Sequence, residues 1–369
     1  MRLNKKIFFF DSLRGIFCLI VILYHLNEVL DSIFINNFFV KNGLIVVDFF
    51  FVISGFVITY NYSSKINSFP NLIRFQIKRL IRLYPLHLVM LIIFGFLEII
   101  KFFFFIKSGI QPNHNIFSTN NLDSFIKNIF LLQGFLLNNT FNNPSWSISQ
   151  EFYTYFAFGL VVFFVKTEKI RMIIFSIILI ISYFFIHKYE LQSQTNIYGS
   201  VRCFFCFFLG ASLVIIKKNI KEVVNIHFIN IFNLLTLCLL FLGIFNKFYL
   251  STILFFATFI ITNLVSKKNF VLNFLKKKIF IFLGSISYGI YMIHFFIIYI
   301  TIQSVRLYIF NTHNDLIFSK IEIKNYLNAF ESHLLLLLII LLTIFISFLS
   351  KLFLENYFKS IGNKISIKK

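Results

Sequence analysis

Apolar windows near the length needed to cross a bilayer, roughly 17–25 residues, recur along the chain at about 15–35, 43–62, 83–106, 146–165 and 170–187. Five more follow at about 198–216, 228–245, 248–265, 279–303 and 332–354. Short polar stretches separate them, and only 107–145 and 304–331 are longer. This pattern predicts an all-α, polytopic transmembrane helical bundle of about ten spans, because in lipid every backbone polar group must be satisfied within the spanning element. It reads as one unit over 1–369, without an internal repeat, a Pro- or Ser-rich linker or an appended soluble domain. Within 107–145, the stretch 125–137 is open to two readings, a loop or a re-entrant or interfacial helix.

Composition agrees with the pattern. Hydrophobic residues make up 58% of the chain and charged ones 13%, with a mean hydropathy of +0.83. A soluble domain carries roughly 45–50% apolar and 25% charged residues, so a soluble fold is excluded. The 57 Phe and the many Ile, Asn and Lys fit an AT-rich coding bias and carry no functional weight.

A formal charge of +21 suggests a nucleic-acid partner only if the basic residues share a soluble face. Here they sit in short loops, which argues against nucleic acid and for membrane lipids. With the N-terminus inside, 25 of the 35 Lys and Arg fall in inside segments and 8 in outside ones. That bias predicts a multi-pass protein of the inner (plasma) membrane with both termini in the cytoplasm. The basic start, 1–6, precedes an apolar run as a secretory signal does. Asp11, Arg14 and His25 inside the run, and no small-residue cleavage site after it, predict a retained first span. Cys203 and Cys206 form a CxxC without a second pair; with Cys18 and Cys238 they read as buried small apolar residues, and no metal site is expected.

Candidate chemistry lies in the polar residues that interrupt the apolar windows. Arg14 and His25 are eleven positions apart, almost three helical turns, so both project from one face. The rise is about 16 Å, which puts His25 near mid-membrane if Arg14 sits at the cytoplasmic edge. Ionisable groups at that depth mark functional sites, and imidazole can take a proton from a hydroxyl near neutral pH; a packed core histidine is the alternative. In the second window Asp48 falls near the outer end, with Ser54 and Gly55 about midway, where Ser-Gly favours close helix packing over a nucleophile lacking a base.

Arg74, Lys78, Arg79 and Arg82 recur every three or four residues before Pro85 and form one basic helical face, suited equally to lipid head groups or to cofactor phosphates. The fourth window opens with Trp146, Ser147, Ser149 and Glu151. Trp146 reads as an interfacial anchor. Glu151 finds a partner of matching depth in Arg202, as a structural ion pair or as part of an acceptor site. In the ninth window Tyr288, Tyr291 and His294 follow one another at helical spacing, for packing or for function.

Taken in order, these residues resemble the acyltransferase-3 family of multi-span membrane proteins, which O-acylate surface polysaccharides and related acceptors. The likeness runs from Leu13-Arg14-Gly15 and His25 through the block 47–56, the RxxR of Arg79 and Arg82 ahead of Pro85, and PxWSxSxE at 144–151. It continues with Arg202 ahead of a Leu209-Gly210 pair, GxISYxxYxIH at 284–294, and Glu355 after the last window. The chain departs from the family pattern at Asn356 and Tyr357, where many members carry a proline, and at Gln150, in place of an apolar residue. The resemblance implies that Arg14 and His25 are catalytic and that Arg79 and Arg82, with Lys78 beside them, help bind acyl-CoA. It also implies that the acyl group, most commonly acetyl, reaches an extracytoplasmic glycan or lipid-linked saccharide.

Some members add a carboxy-terminal esterase-like domain; a chain running only to Lys369 is expected to act alone or with a separate partner. Direct attack by the acceptor hydroxyl and prior acylation of His25 both remain open. The rival class is a glycan or small-solute transporter or flippase, since intramembrane ionisable residues also line transport paths. Such a protein often shows repeats or paired broken helices, which the sequence lacks.

Overall fold

The computed structural model describes residues 7–112, 115–136, 141–193, 197–220, 225–266, 268–312, 318 and 322–365. In chain order the α-helices are α1 (Ile7–Leu26), α2 (Phe38–Lys41), α3 (Ile45–Tyr62), α4 (Phe69–Ser108), α5 (Leu122–Ile129), α6 (Gln133–Leu136), α7 (Trp146–Phe164) and α8 (Glu168–Lys188). They continue as α9 (Ile197–Asn219), α10 (Ile226–Phe245), α11 (Tyr249–Val265), α12 (Phe270–Leu275), α13 (Lys278–Ser285), α14 (Ser287–Thr312), α15 (Ala329–Ser350) and α16 (Asn356–Lys364). The basic start, 1–6, and the positions 313–317 and 319–321 of the polar stretch 304–331 lie outside the described residues.

Each of the ten apolar windows overlaps a helix. Among the described residues, eight helices are long and apolar enough to cross a membrane by length and composition, and α11, at 17 residues, is shorter. Helix α7 falls below that measure because its first turns carry Ser147, Ser149, Gln150 and Glu151. Outward faces are apolar: Ile180 on α8, Phe241 on α10 and Leu341 on α15 are each more than half exposed. In water such a surface would aggregate; in lipid it is solvated.

Two windows differ from their helices. The first window, 15–35, is shifted, since α1 begins at Ile7 and ends at Leu26, with turns following. The ninth, 279–303, is two helices, α13 and α14, broken at Ile286. The break follows from packing. Gly284 lies backbone to backbone on α1, where an added Cβ would stand 2.0 Å from the Asp11 carbonyl oxygen, and Gly15 answers it 2.6 Å from the Gly284 nitrogen. Held there, α13 cannot continue straight, and α14 restarts with Tyr288 turned to α4, its hydroxyl donating to the Leu83 carbonyl and its ring under Arg82.

A second glycine contact fixes α3 on α9. A Cβ on Gly55 would stand 1.9 Å from the Phe207 carbonyl oxygen, and one on Gly210 2.0 Å from that of Val52. This is the close approach that small residues permit between membrane helices, and Gly55 makes it, whereas Ser54 turns its hydroxyl to Tyr155.

Helix α4 is 40 residues long, about 60 Å, twice the thickness of a hydrocarbon core. Its first half carries the basic face and its second half the third apolar window, with Pro85 inside the helix. The stretch 125–137 descends beside it, re-entrant as far as it is described. Glu98 accepts from the Phe117 backbone N–H at 3.0 Å and from Asn120 at 3.2 Å, whereas His87, eleven residues nearer the helix start, donates Nε2–H to the Asn128 carbonyl at 3.0 Å. Segment and α4 therefore run antiparallel over a descent of about 16 Å. Tyr153 and Ser149 on α7 hold its lowest point, donating to the carbonyls of Phe130 (3.0 Å) and Leu131 (2.5 Å).

Candidate functional site

Basic residues of α4 open the site. The spacing of Lys78, Arg79 and Arg82 turns all three towards one cavity of about 280 Å³, closed on its far side by Tyr288, Glu355 and α16. Arg79 donates Nη2–H to the Tyr62 hydroxyl at 2.9 Å and lies 5.0 Å over the same ring, while its Nε is buried and has no partner among the described residues. Arg82 lies 5.6 Å over the Tyr288 ring, with its Nη1 3.5 Å from Glu355 Oε2.

Glu355 closes a π-helical turn, Lys351–Glu355, and the chain then runs on as α16 instead of stopping. Without a proline after Glu355, nothing interrupts the helix, and Lys359 on α16 adds a further cation to the cavity wall. The other departure, Gln150, is fully buried and donates Nε2–H to the Gly134 carbonyl at 3.1 Å, so it ties the re-entrant segment to α7.

Arg79, Arg82 and Tyr288 also line a second cavity of about 220 Å³ that continues inward. Arg14, Ser54, Glu151, Tyr155 and Tyr291 face it. Arg14 stands 3.5 Å from Asp11 on its own helix. Tyr155 donates its hydroxyl to Glu151 at 2.5 Å, so the 2.8 Å contact between Ser54 Oγ and the Tyr155 oxygen is donated by Ser54. Ser54 thus gives its proton to a phenol and faces no base. At the inner end the hydroxyls of Tyr291 and Ser147 are 2.7 Å apart, and both reach the Pro144 carbonyl, at 3.1 and 3.0 Å.

His25 does not line either cavity. It lies one layer further along, in the last turn of α1, with its ring centroid 5.3 Å from that of His294 and 5.6 Å from that of Phe295. His294 is in turn 6.0 Å from Tyr291. Although α1 ends one residue later, α14 runs on from His294 to Thr312, so the histidine pair lies within the bundle and not at its end.

The remaining expected residues lie apart from this line. Arg202 pairs with Asp48 at 2.6 Å, both side chains fully buried, and Glu151 pairs with Tyr155, which corrects the expected Glu151–Arg202 pair. The reason is the glycine contact, which lays α9 against α3 and gives Asp48 the shorter path. Trp146 is not an interfacial anchor; it is 6% exposed, with the Arg202 guanidinium 5.8 Å over its ring and Phe51 at 6.2 Å. Ser149 is spent on the re-entrant segment.

Cys203 and Cys206 are fully buried free thiols, Cys18 bonds the Ser287 carbonyl at 3.1 Å, and Cys238 is exposed on the outside of α10. Sequence reasoning missed Tyr155 and Tyr62. The first was findable, four residues after Glu151 on one helix; the second carried no signal.

Comparison with known proteins agrees in extent. A family model described as an acyltransferase domain matches residues 7–352. A Staphylococcus aureus (strain COL) protein named "Putative O-acetyltransferase" is 27% identical over 317 residues, 78% of this chain and 50% of its own length, and a protein of the same designation from strain MW2 gives the same values. "Acyltransferase MdmB" of Streptomyces mycarofaciens is 32% identical over 122 residues, 32% of this chain and 28% of its own. The chain therefore spans about half the length of the Staphylococcus relatives it matches. No solved structure matches it.

Proposed function

The chain belongs to the acyltransferase-3 family, and from that premise we propose that it is a membrane O-acyltransferase carrying an acyl group, acetyl by preference, from cytoplasmic acyl-CoA to a hydroxyl of a cell-surface or exported glycan. The observation that carries this reading is the pair of adjacent cavities, basic at the α4 mouth and polar inside, with Arg79, Arg82 and Tyr288 in the walls of both. Phosphates suit the mouth. The orphan Arg79 Nε calls for an acceptor, and the Arg82–Glu355 pair, 3.5 Å long with Arg82 46% exposed, is of the kind that contributes little and exchanges readily for a phosphate.

The thin arm of the donor follows the inner cavity past Arg14, whose cation favours the negative charge that develops on a thioester carbonyl oxygen. In the transfer the acceptor oxygen bonds the acyl carbon and the carbon–sulfur bond breaks. The hydroxyl proton passes to His25 and from there to the departing thiolate.

Replacing Arg79 and Arg82 together by alanine is expected to raise the KM for acetyl-CoA by roughly 10- to 100-fold, the range of one or two charge-assisted contacts, and to leave the KM for the glycan unchanged. An unaltered KM for acetyl-CoA returns these arginines to lipid anchoring. Mass spectrometry of envelope glycans with and without the gene separates this reading from transport, because only an acyltransferase adds an acetyl-sized mass.

The reading also requires the basic mouth to face the cytoplasm, as the charge bias indicates. Cysteines placed singly at Thr119 and Ser64, both exposed, test it in a background lacking only Cys238, since the other three thiols are buried. Thr119→Cys should react with an impermeant thiol reagent in intact cells and Ser64→Cys only after lysis. The reverse pattern removes the mouth from cytoplasmic acyl-CoA.

A further inference from the structure

We propose that His294 is a positioning residue for His25: its Nε2 lone pair accepts the His25 N–H that faces it, directly or through one water or hydroxyl, and so keeps the opposite nitrogen of His25 free to act as base. This rests on the catalytic reading of His25 given above. The argument begins at the other nitrogen of His294. Nδ1 is 3.0 Å from the Ile290 carbonyl oxygen, one helical turn back. A carbonyl can only accept, so Nδ1 carries the hydrogen. A neutral imidazole has one N–H; Nε2 is therefore a bare lone pair.

That lone pair is costly where it stands. His294 is fully buried, and Nε2 has no hydrogen-bond partner among the described residues. A buried acceptor left unmet is unfavourable, so the site is built for a donor. The nearer polar ring is His25, at 5.3 Å between centroids and 37° between planes, while Tyr291, at 6.0 Å, spends its hydroxyl on the Pro144 carbonyl and Ser147. Around His25 the other ring contacts are Tyr24 and the apolar Phe295. Left alone, neutral His25 would divide between two tautomers, and only one presents a lone pair to the acceptor hydroxyl. A fixed acceptor on one side removes the other. The logic is that of the carboxylate in a hydrolase triad, which orients a histidine without itself gaining the proton.

Proton balance follows. The acceptor hydroxyl gives its proton to the free nitrogen of His25, the imidazolium keeps donating to His294 Nε2, and the same proton leaves with the thiol of CoA. His294 ends the cycle as it began.

The test uses the full chain in lipid nanodiscs, acetyl-CoA as donor, and envelope glycan from a strain lacking the gene as acceptor. His294→Leu should lower kcat by roughly 10- to 100-fold with the KM for acetyl-CoA unchanged. His294→Gln, whose amide oxygen reaches about as far as Nε2, should recover most of that loss, and His294→Asn, which reaches only to Nδ1, should not. A purely packing role gives the opposite order, since leucine is tolerated in an apolar shell and glutamine buries an extra amide; leucine equal to or better than glutamine overturns the proposal. Should the leucine variant fail to fold, glutamine no more active than asparagine overturns it equally. His25→Ala separates the two readings. If it is inactive while His294→Leu keeps wild-type kcat, only the role of His294 falls; if it is active, the assignment of His25 itself falls.

Discussion

Alanine at position 25 should lower acyl transfer by roughly 100- to 10,000-fold, the usual cost of removing a general base, while the protein still accumulates in the membrane. The second half of that expectation comes from the structure. His25 sits in the last turn of α1 and meets its neighbours through ring contacts, and the buried group its loss leaves without a donor is the neutral His294 Nε2, a smaller cost than unpairing a buried charge. Its removal is therefore a chemical lesion more than a structural one. Mass spectrometry of envelope glycans, read beside an immunoblot of the membrane fraction, measures both quantities. Glycan acylation at the wild-type level, with normal protein, sinks the assignment.

Arg202→Leu should behave in the reverse way, as a loss of fold first and of activity in consequence. Its guanidinium and the Asp48 carboxylate are both fully buried, and Asp48 Oδ1 has no hydrogen-bond partner among the described residues even with the pair intact. Taking away one member leaves a bare buried charge, which costs about 3–5 kcal/mol, whereas replacing both by apolar residues is often neutral. The single variant is expected to show a lower thermal midpoint in nanodiscs and a poor yield. Combining it with Asp48→Leu should restore most of both. A single variant as stable as the wild type, or a double variant worse than the single, would show that the pair does not hold α3 to α9.

The helical bundle was legible because a membrane helix announces itself by length and hydropathy; each of the ten windows overlaps a helix, and among the described residues eight helices are long and apolar enough to cross a membrane. What failed were the points at which one helix answers to another. The break at Ile286 was missed although Gly284, Ser285 and Ser287 flank it, because small and hydroxyl residues also occur inside unbroken membrane helices; it is forced by Gly284 lying on Asp11, 273 positions away. Arg202 was paired with Glu151 by depth alone, whereas the choice of Asp48 is made by the contact of Gly55 with Phe207, which no local pattern records.

Within the candidate site, the basic face of α4 could be read from its helical spacing and Arg14 from its place in an apolar run. The joining of those arginines to Glu355 could not, because it depends on a π-turn that re-aims a side chain close to the end of the chain. The separation of His25 from the cavities was equally hidden. Arg14 and His25 do share a helix, but the cavity ends at Tyr291, and that is a property of α14.

The buried Asp48–Arg202 pair has a consequence in time as well as in space. The two residues are 154 positions apart, and at the rate of protein synthesis, about 5–20 residues per second, roughly 8–30 s pass between their appearances. Throughout that interval α3 is a nascent hydrophobic segment carrying an acid with no counter-ion. A charge in the hydrocarbon region is costly, so the first turn of α3, which carries Asp48, must wait at the interface, or with its acid protonated, until α9 arrives. A chain that stopped between the two helices would hold its buried acid unpaired, so the order of synthesis makes α3 depend on a helix made long after it.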